Sequence, residues 1–453
     1  MEKLLEFVQN NIQADTSRLI LDRDKWPDID MDIAVSCIES RLKLKGKVKE
    51  WYDNPRLIFP IRLSAEQCSS SLTGLYKADL AERIVGLDES AYKTEWELAD
   101  LTGGLGVDSW FFSKKASKVL YCEMQQALCD AARHNFAELE ARNITVRNCM
   151  TVPESDVCIE SPECEKQSPQ SLFTEFKPDI IYLDPARRGE GGRKVFLLED
   201  CTPDILTLKD SLLECSRHIL LKLSPMADIT MVCERLGNCC REVHIVGAGG
   251  ECKELLVWID REWSEEYEIT AVELRASDLD SGDTGNGYHA KKFTFRPSEE
   301  KSAIPQIAGK DEIPAAGFLF EPGKAMMKAG GYNMLCSRFC LKKLGRSTHY
   351  YIGGDDLKES VVTELHGHGK TFRILECDSL DKRSIKRIAA MYPKAEVTAR
   401  NLPMDTDTLR KKLGTASSDT YHIFGLKSDT AGNLLLVIKW LLRLVFLMML
   451  LVM

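Results

Sequence analysis

The sequence predicts an α/β fold: a doubly wound sheet of seven strands, with a helical region before it and an α+β domain after it. Three observations carry this prediction. Residues 1 to about 90 have helical periodicity, short β-rich runs alternate with helical ones from about 95 to 260, and a mixed pattern follows from about 315 to 440. A length of 453 residues allows two to four compact units.

The N-terminal region, residues 1–90, is predicted to be helical. Leu4, Leu5, Val8 and Ile12 recur at three- and four-residue spacing, which is typical of one apolar helix face. We expect the sheet domain to span 91–270, the α+β domain 271–440, and an apolar extension 441–453. The polar run at 277–290 is predicted to be a linker or long loop between the last two domains.

Seven strands are predicted from the β-rich runs. Helical patterns between most of them indicate crossover connections and a parallel sheet. Only GGECK separates the last two strands, which predicts a hairpin there. Residues 153–171 are polar and turn-rich and are predicted to be a surface loop. The predicted strands are ELADL, KVLYCEM, ITVRNCM, DIIYLDP, HILLKLSP, EVHIVGA and ELLVWID.

The α+β domain is predicted from one long helix, several short strands and a second helix. The first helix covers KAMMKAGGYNMLCSRFCLKKL, and the second covers TDTLRKKL. Between them lie the predicted strands THYYIG, KTFRIL and AEVTARN, and the run LLLVI is predicted to end the domain as a terminal strand.

The composition is that of an ordinary globular protein. Hydrophobic residues make up 44% and charged residues 28%, which excludes disordered and collagen-like chains. The net charge of −9 excludes a protein that coats nucleic acid over its whole surface but allows one basic face. The acidic start of the chain lacks the order of a secretory signal, so we expect a cytoplasmic protein with free thiols. None of the 16 cysteines forms a C-x-x-C pair, and we expect no metal site.

A glycine-rich turn follows the first predicted strand, in the segment Asp100-Leu-Thr-Gly-Gly-Leu-Gly-Val-Asp108. Its three glycines let the backbone turn tightly and approach a ligand at the carboxyl end of the strand. Glu123 ends the second strand, where a carboxylate suits the two hydroxyls of a ribose. Nicotinamide and S-adenosylmethionine sites share both features, so these alone do not choose between the cofactors.

Three further observations favour S-adenosylmethionine. The third glycine of a dinucleotide fingerprint would fall at Ser109, and Asp100 suits a ligand that carries an amino group. The fourth strand ends in Asp184-Pro-Ala-Arg-Arg-Gly189, at the same edge of the sheet. The alternative is an ordinary strand-to-helix turn, with Asp184 as a helix cap.

These motifs resemble those of the class I S-adenosylmethionine-dependent methyltransferases that carry a C-terminal THUMP-like domain. The matching segments are D-L-T-G-G-L-G-V-D, L-Y-C-E, Y-L-D-P-A-R-R-G and E-C-K-E-L-L-V-W-I, with E-P-G-K-A-M-M-K-A-G-G and V-T-A-R-N-L-P in the C-terminal domain. The likeness covers residues from roughly 60 to 440. It implies a Rossmann-like methyltransferase sheet, S-adenosyl-L-methionine as cofactor and RNA as the substrate class.

The resemblance and the motifs together give two sets of candidate site residues. In a class I methyltransferase the end of the fourth strand faces the methyl group, so Asp184 could accept a hydrogen bond from a base nitrogen while Arg187 stacks on a base or grips phosphate. The candidate catalytic residues are Asp184, Pro185, Arg187 and Arg188. The candidate cofactor-binding residues are Asp100, Thr102, Gly103, Gly104, Gly106, Asp108, Glu123, Met124 and Asn148.

The D-P-A-R-R-G segment departs from two related motifs. Enzymes that methylate exocyclic amines usually have Asp/Asn-Pro-Pro followed by an aromatic residue, whereas this chain has Ala186 and Arg187, so that specificity is in doubt. The segment is also similar to the D-P-P-R-x-G of C5-uracil methyltransferases, which place a nucleophilic cysteine after the next strand. Leu223 stands in that position, which argues against C5 methylation.

RNA is the predicted partner because of a basic stretch near the C-terminus. Residues 382–427 contain ten Lys/Arg and four Asp/Glu, a local charge of +6, although solvated helix faces would explain it equally well. The alternative functions are a methyltransferase of a small molecule or protein, a non-catalytic module with the cofactor fold, and a nicotinamide oxidoreductase. The sequence shows no preference for DNA and leaves the oligomeric state open.

The last twenty residues are strongly apolar: 18 of the 20 residues in 434–453 are apolar, and only Lys439 and Arg443 interrupt the run. Arg443 would lie near the centre of a bilayer at a cost of about 2.5–3.5 kcal/mol. We therefore predict no membrane span and interpret 441–453 as an atypical extension, sticky or docked on an apolar surface.

Overall fold

The computed structural model describes residues 2–87, 95–157, 164–187, 198–277, 287–354 and 357–440. The chain divides into two compact units. The first comprises Met1–Ala248, Lys253–Tyr267 and Leu274–His289, and the second comprises Gly249–Cys252, Glu268–Glu273 and Ala290–Met453.

The described residues form the following α-helices, in chain order: α1 Glu2–Asn10, α2 Thr16–Leu21, α3 Met31–Leu44, α4 Lys49–Asp53, α5 Arg62–Gln67, α6 Ser71–Gly86, α7 Val107–Ser113, α8 Gln126–Glu138, α9 Pro169–Leu172, α10 Ile205–Cys215, α11 Ile229–Leu236, α12 Pro297–Ser302, α13 Lys324–Ala329, α14 Tyr332–Phe339, α15 Glu359–His368, α16 Lys382–Met391 and α17 Thr406–Leu413.

The strands in the same residues are β1 Glu97–Asp100, β2 Lys118–Glu123, β3 Ile144–Thr151, β4 Glu165–Gln167, β5 Ile180–Leu183, β6 Ala186–Arg187, β7 Cys201–Thr202, β8 His218–Leu223, β9 Cys240–Ala248, β10 Glu251–Asp260, β11 Glu268–Ala276, β12 Tyr288–Phe295, β13 Phe318–Pro322, β14 Lys342–Gly345, β15 Thr348–Gly353, β16 Gly369–Ser379, β17 Glu396–Arg400, β18 His422–Ser428 and β19 Gly432–Trp440.

The N-terminal region is helical, as predicted, from α1 to α6. Side chains that cap free backbone N–H groups fix where its longer helices begin. The Asp30 carboxylate accepts from the N–H of Ile33 ahead of α3, and Ser70 and Thr73 form a reciprocal capping box at the start of α6. These helices belong to the same compact unit as the sheet that follows them.

The sheet of the first unit contains all seven predicted strands. From β9 to the far edge its order is β9-β10-β8-β5-β1-β2-β3-β4, and the strands from β8 to β4 are parallel. Strand β10 lies between β9 and β8 and runs antiparallel to β8. Because β1, β2, β5 and β8 are parallel, their carboxyl ends meet at one edge, where such sheets bind ligands. The predicted doubly wound Rossmann-like fold is confirmed.

The prediction of a surface loop over 153–171 is wrong in part. Residues 165–167 pair with β3 as the short edge strand β4, and α9 begins directly afterwards at Pro169. Strand β4 consists of Glu, Lys and Gln, so it lacks the apolar alternation by which a strand is recognised in a sequence.

The second unit contains a seven-stranded sheet of order β14-β15-β13-β16-β19-β18-β17. Two apolar clusters, one around Phe372 and Phe424 and one around Ile388 and Leu409, form its core. The predicted α+β domain is confirmed, including the terminal strand over LLLVI, which lies in β19. The predicted long helix over KAMMKAGGYNMLCSRFCLKKL is wrong: it breaks into α13 and α14 at Gly330, whose φ of +82 ends the first helix.

Two predicted segments lie outside the described residues. These are most of the linker at 277–290 and the extension 441–453. Within the ranges given above, no helix is both long and apolar enough to cross a membrane.

Candidate active site

The glycine turn after β1 is built as the sequence predicts. Gly104 and Gly106 have positive φ values of +53 and +92, a conformation that side chains rarely adopt, and Gly106 caps α7. At Gly103 a Cβ atom would lie 2.2 Å from the ring of Tyr121. The turn therefore needs glycine at these positions, and its backbone forms one wall of a pocket.

Asp100, at the end of β1, is buried at the base of this turn. Its carboxylate accepts from the Ser109 hydroxyl at 2.5 Å and from the Thr102 N–H at 3.0 Å. Burial raises the pKa of Asp100 to about 7, although these hydrogen bonds favour the charged form. The Thr102 hydroxyl in turn accepts the N–H of Asp184 at 2.6 Å, which ties the end of β1 to the end of β5.

Glu123, at the end of β2, lines the same pocket. Its two carboxylate oxygens accept from the backbone N–H groups of Gly104, at 3.0 Å, and Gln125, at 2.8 Å. Burial raises the pKa of Glu123 above its ordinary value, while both backbone hydrogen bonds lower it. Each carboxylate oxygen keeps a second lone pair for a ligand hydroxyl.

Of the other two residues predicted beside Glu123, Met124 lines the pocket and Asn148 does not. The Asn148 amide donates to the carbonyls of Glu123, at 3.0 Å, and Met124, at 2.9 Å. Asn148 therefore supports the end of β2 through these two hydrogen bonds. Cofactor contact by Asn148 stays a prediction.

Asp184 follows β5 and lines the same pocket as the glycine turn. Its side chain is 39% exposed, and its Oδ2 lies 2.6 Å from Nζ of Lys222. Pro185, the next residue, is buried, and its predicted role stays a prediction. Arg187 ends the short strand β6, and Arg188 lies outside the described residues, so their roles stay predictions.

A buried cluster of charged side chains lies beside Asp184. Lys77, on α6, is fully buried and bonds both oxygens of Glu254, on β10, at 2.8 and 3.0 Å. Its Nζ also contacts Asp108 Oδ1 at 3.2 Å and the Ser69 hydroxyl at 2.8 Å. Lys77 thus links α6 to the sheet through its ion pair with Glu254.

Asp108, predicted to contact the cofactor, lies in this cluster as well as at the pocket wall. Its Oδ2 accepts from the hydroxyls of Tyr182, at 2.8 Å, and Ser69, at 3.0 Å. Burial raises its pKa, but the cations Lys77 and Lys222 outweigh that effect and lower it to about 2. Asp108 is therefore an anion that holds the two lysines together.

The structure brings most of the predicted residues to one pocket. The predicted residues that line it are Asp100, Thr102, Gly103, Gly104, Gly106, Asp108, Glu123, Met124 and Asp184. Sequence reasoning missed Lys77, Ser69, Tyr182, Lys222 and Glu254 as members of this site. Lys222 had a usable signal, because it is the one lysine in the mostly apolar strand HILLKL.

Comparison with known proteins identifies this arrangement. A ferredoxin-like domain family matches residues 318–359, and a THUMP domain-like family matches residues 369–438. The crystal structure of a proposed methyltransferase from Porphyromonas gingivalis W83 superposes with a TM-score of 0.76 at 26% sequence identity, covering 97% of this chain and 98% of that chain. This chain has the fold of a class I methyltransferase with a THUMP-like domain. The predicted enzyme class, with S-adenosylmethionine as cofactor, is confirmed at the level of the fold.

Other solved structures match only part of this methyltransferase. An rRNA methylase from Streptococcus thermophilus has a TM-score of 0.27 at 10% identity and covers 40% of this chain and 94% of that chain. A proposed methyltransferase from Streptococcus mutans in complex with SAH has a TM-score of 0.26 at 15% identity, covering 40% and 96%. These scores are too low for conclusions about this chain. No curated protein sequence matches it.

The pocket of the methyltransferase fits S-adenosylmethionine. The glycine turn leaves backbone space that a Cβ atom would fill, Glu123 offers two oxygens for ribose hydroxyls, and the buried Asp100 offers a carboxyl for the amino group. Leu105 and Leu128 add apolar surface to the same pocket. When bound, the cofactor supplies a methyl group on a sulfonium.

Proposed function

We propose that this chain is a cytoplasmic RNA methyltransferase that transfers a methyl group from S-adenosylmethionine to a base nitrogen. The observation that carries the proposal is the position of Asp184, whose half-exposed carboxylate shares one pocket with the glycine turn and Glu123. A methyl transfer of this kind needs chiefly an aligned acceptor and a site that excludes water.

On the acceptor side, Asp184 accepts a hydrogen bond from the N–H of the base and so directs the nitrogen at the methyl group. Lys222 holds one carboxylate oxygen at 2.6 Å, and the backbone N–H of Asp184 is fixed by Thr102. The carboxylate is thereby oriented before the acceptor arrives, which is the condition for efficient alignment. We assign Arg187 and Arg188 to the binding of the acceptor's base or phosphate.

RNA as the acceptor is supported by the second unit. All ten lysines and arginines of residues 382–427 have exposed side chains. Seven of them lie on α16 and α17, which pack against each other, and the other three are Lys394, Arg400 and Lys427. Arg387 and Arg410 pair with nearby carboxylates, so the basic surface is partly neutralised. The THUMP domain-like match over residues 369–438 covers the whole of this basic stretch.

The test is mass spectrometry of nucleosides from total RNA of cells with and without the gene. We expect one methylated nucleoside to disappear on deletion and to return with the wild-type gene but not with the Asp184→Ala variant. Methylation that is unchanged in RNA but lost from a small molecule or a protein would replace RNA by that acceptor, which the net charge of −9 would suit. Restoration by Asp184→Ala would remove Asp184 from the reaction.

A further inference from the structure

Lys222 places a single ammonium group at the acceptor side of the pocket. Its Nζ lies 2.6 Å from Asp184 Oδ2, 3.3 Å from the Ser69 hydroxyl and 3.7 Å from Asp108 Oδ2. Lys222 lines the pocket, and 12% of its side chain remains exposed. The group that receives the methyl must therefore approach a cation as well as the carboxylate of Asp184.

The ammonium of Lys222 stays charged in this environment. Burial lowers its pKa, but the carboxylates of Asp184, Asp108 and Glu254 outweigh burial and raise it above its ordinary value. Lys222 is therefore a donor and a fixed positive charge, not a proton acceptor, at neutral pH. The titratable and polar groups that face it from the neighbouring elements are Cys68, Ser69, Lys77, Asp108, Tyr182, Asp184 and Glu254.

Lys77 leaves Lys222 available to the pocket. It neutralises Glu254 through two hydrogen bonds and contacts the far oxygen of Asp108, so these two carboxylates do not depend on Lys222 alone. Lys77 is absent from the pocket lining among the described residues and acts as a positioning residue.

The Lys222 ammonium affects which charge state of the acceptor reacts most easily. A nitrogen that attacks as a neutral amine or ring nitrogen gains positive charge in the transition state; the carboxylate of Asp184 favours that charge and the ammonium of Lys222 disfavours it, so the ion pair gives such an acceptor little net stabilisation. An acceptor that first gives its proton to Asp184 attacks as an anion, and because Asp184 is then neutral, the ammonium of Lys222 stabilises that anion.

We infer that the acceptor is an acidic N–H or O–H group that reacts as its anion, with the Lys222 ammonium beside the negative charge. This inference rests on the proposed function and narrows it. Among base nitrogens, N1 of guanine and N3 of uracil fit, because each carries an N–H next to a carbonyl oxygen that shares the charge. The oxygen counterpart in RNA is the ribose 2′-hydroxyl. Exocyclic amines and ring nitrogens without hydrogen do not fit.

Methyl transfer to this acceptor also removes one proton from it. The acceptor N–H or O–H proton passes to the free carboxylate oxygen of Asp184 and from there to water. The electron pair left on the acceptor forms the new bond to the methyl carbon, and the carbon–sulfur bond breaks with its pair on sulfur. A sulfonium and an anion thus become a neutral thioether and a methylated acceptor, and one proton is released to the solvent.

Product identity tests the inference directly. The purified full-length protein is incubated with S-adenosylmethionine and total RNA from cells that lack the gene, and the nucleosides are then separated by mass spectrometry. We expect 1-methylguanosine or 3-methyluridine. A 2′-O-methylated nucleoside supports the inference and removes the base nitrogen from the proposed function. A methylated exocyclic amine or 7-methylguanosine overturns the inference and leaves the RNA methyltransferase intact. No methylated RNA overturns both.

The variant Lys222→Met tests the role of the cation, with Lys222→Arg as the conservative variant. We expect Lys222→Met to lower kcat about 10²-fold, as when one donor to a developing anion is removed, and Lys222→Arg to restore part of the loss. The rate of Lys222→Met should also need a higher pH, because the acceptor then ionises without help.

Two further measurements separate this role from a structural one. Calorimetric affinity for S-adenosylmethionine should stay within a few-fold of the wild type in Lys222→Met, and the exposed control Lys118→Met should change neither the rate nor its pH dependence. A Lys222→Met variant with the wild-type rate and pH profile would contradict the inference. A large loss of cofactor affinity would also contradict it, because Lys222 would then support the cofactor pocket.

Discussion

Replacing Lys77 by methionine should destabilise the first unit strongly. The Lys77 side chain is fully buried, and its Nζ makes two contacts with Glu254 and one each with Asp108 and Ser69. Methionine keeps the shape of the aliphatic stem but leaves the buried Glu254 carboxylate, 4% exposed, without its cation. Breaking a buried pair in this way costs about 3–5 kcal/mol. We expect the lower end of that range, because Asp108 keeps Lys222, Tyr182 and Ser69 as partners.

Urea unfolding followed by tryptophan fluorescence measures this effect in the first unit, because six of the seven tryptophans lie there. The double variant Lys77→Met/Glu254→Leu removes both charges and should recover most of the loss. Lys118→Met is the matched control: it breaks an exposed pair with Glu97 and should cost no more than about 1 kcal/mol. A Lys77→Met variant within about 1 kcal/mol of the wild type, or a double variant no more stable than the single one, would refute the reasoning.

Four further predictions concern the pocket and the RNA surface. Glu123→Ala should weaken S-adenosylmethionine binding ten- to a hundredfold by calorimetry, the equivalent of about 1.5–3 kcal/mol for a charge-assisted contact; unchanged affinity would locate the ribose contact elsewhere. Asp184→Ala should lower the rate about 10²-fold or more with little change in melting temperature, because the side chain is 39% exposed; unfolding would make it a structural cap. Because the pKa of Asp100 is raised to about 7 in the fold, its contribution to the free energy of unfolding is full below the ordinary pKa of 3.8 and is lost as the pH rises through about 7. The variant Asp100→Asn should therefore flatten that part of the pH dependence of the unfolding midpoint. An unaltered profile would mean that Asp100 is ionised throughout. Lys411→Glu/Lys412→Glu should weaken RNA binding and reduce its dependence on salt; equal binding at all salt concentrations would place RNA elsewhere.

The cofactor side of the pocket could be predicted because its information is local. Glycine is required at Gly104 and Gly106 by their positive φ values and at Gly103 by the close approach of a side chain. The turn can therefore be recognised from nine consecutive residues of the sequence. Glu123 and Asp184 follow directly from strand ends, since parallel strands bring their carboxyl ends to one edge. Strand patterns alone therefore placed these residues in one pocket.

The charge cluster could not be predicted in the same way, because its members are distant in the sequence. Lys77 and Glu254 are separated by 177 positions, and Lys222 and Ser69 by 153. A lysine in the apolar pattern of a helix indicates burial but does not say which carboxylate will meet it. That partner is set by the packing of α6 against the sheet, which periodicity does not encode.

The buried charge cluster also shows what the N-terminal helices contribute to the site. The sequence predicts that they end near residue 90 and leaves open whether they take part in the site or only support the sheet. Ser69 and Lys77 belong to this region, and both contact Asp108, while Ser69 lies 3.3 Å from Lys222. A fragment that begins at residue 91 would keep the glycine turn, Glu123 and Asp184 but would lack the cation that neutralises Glu254. The glycine turn and Glu123 therefore belong to the sheet and its connections, whereas the charge cluster around Asp108 is completed only by α6 and the residues before it.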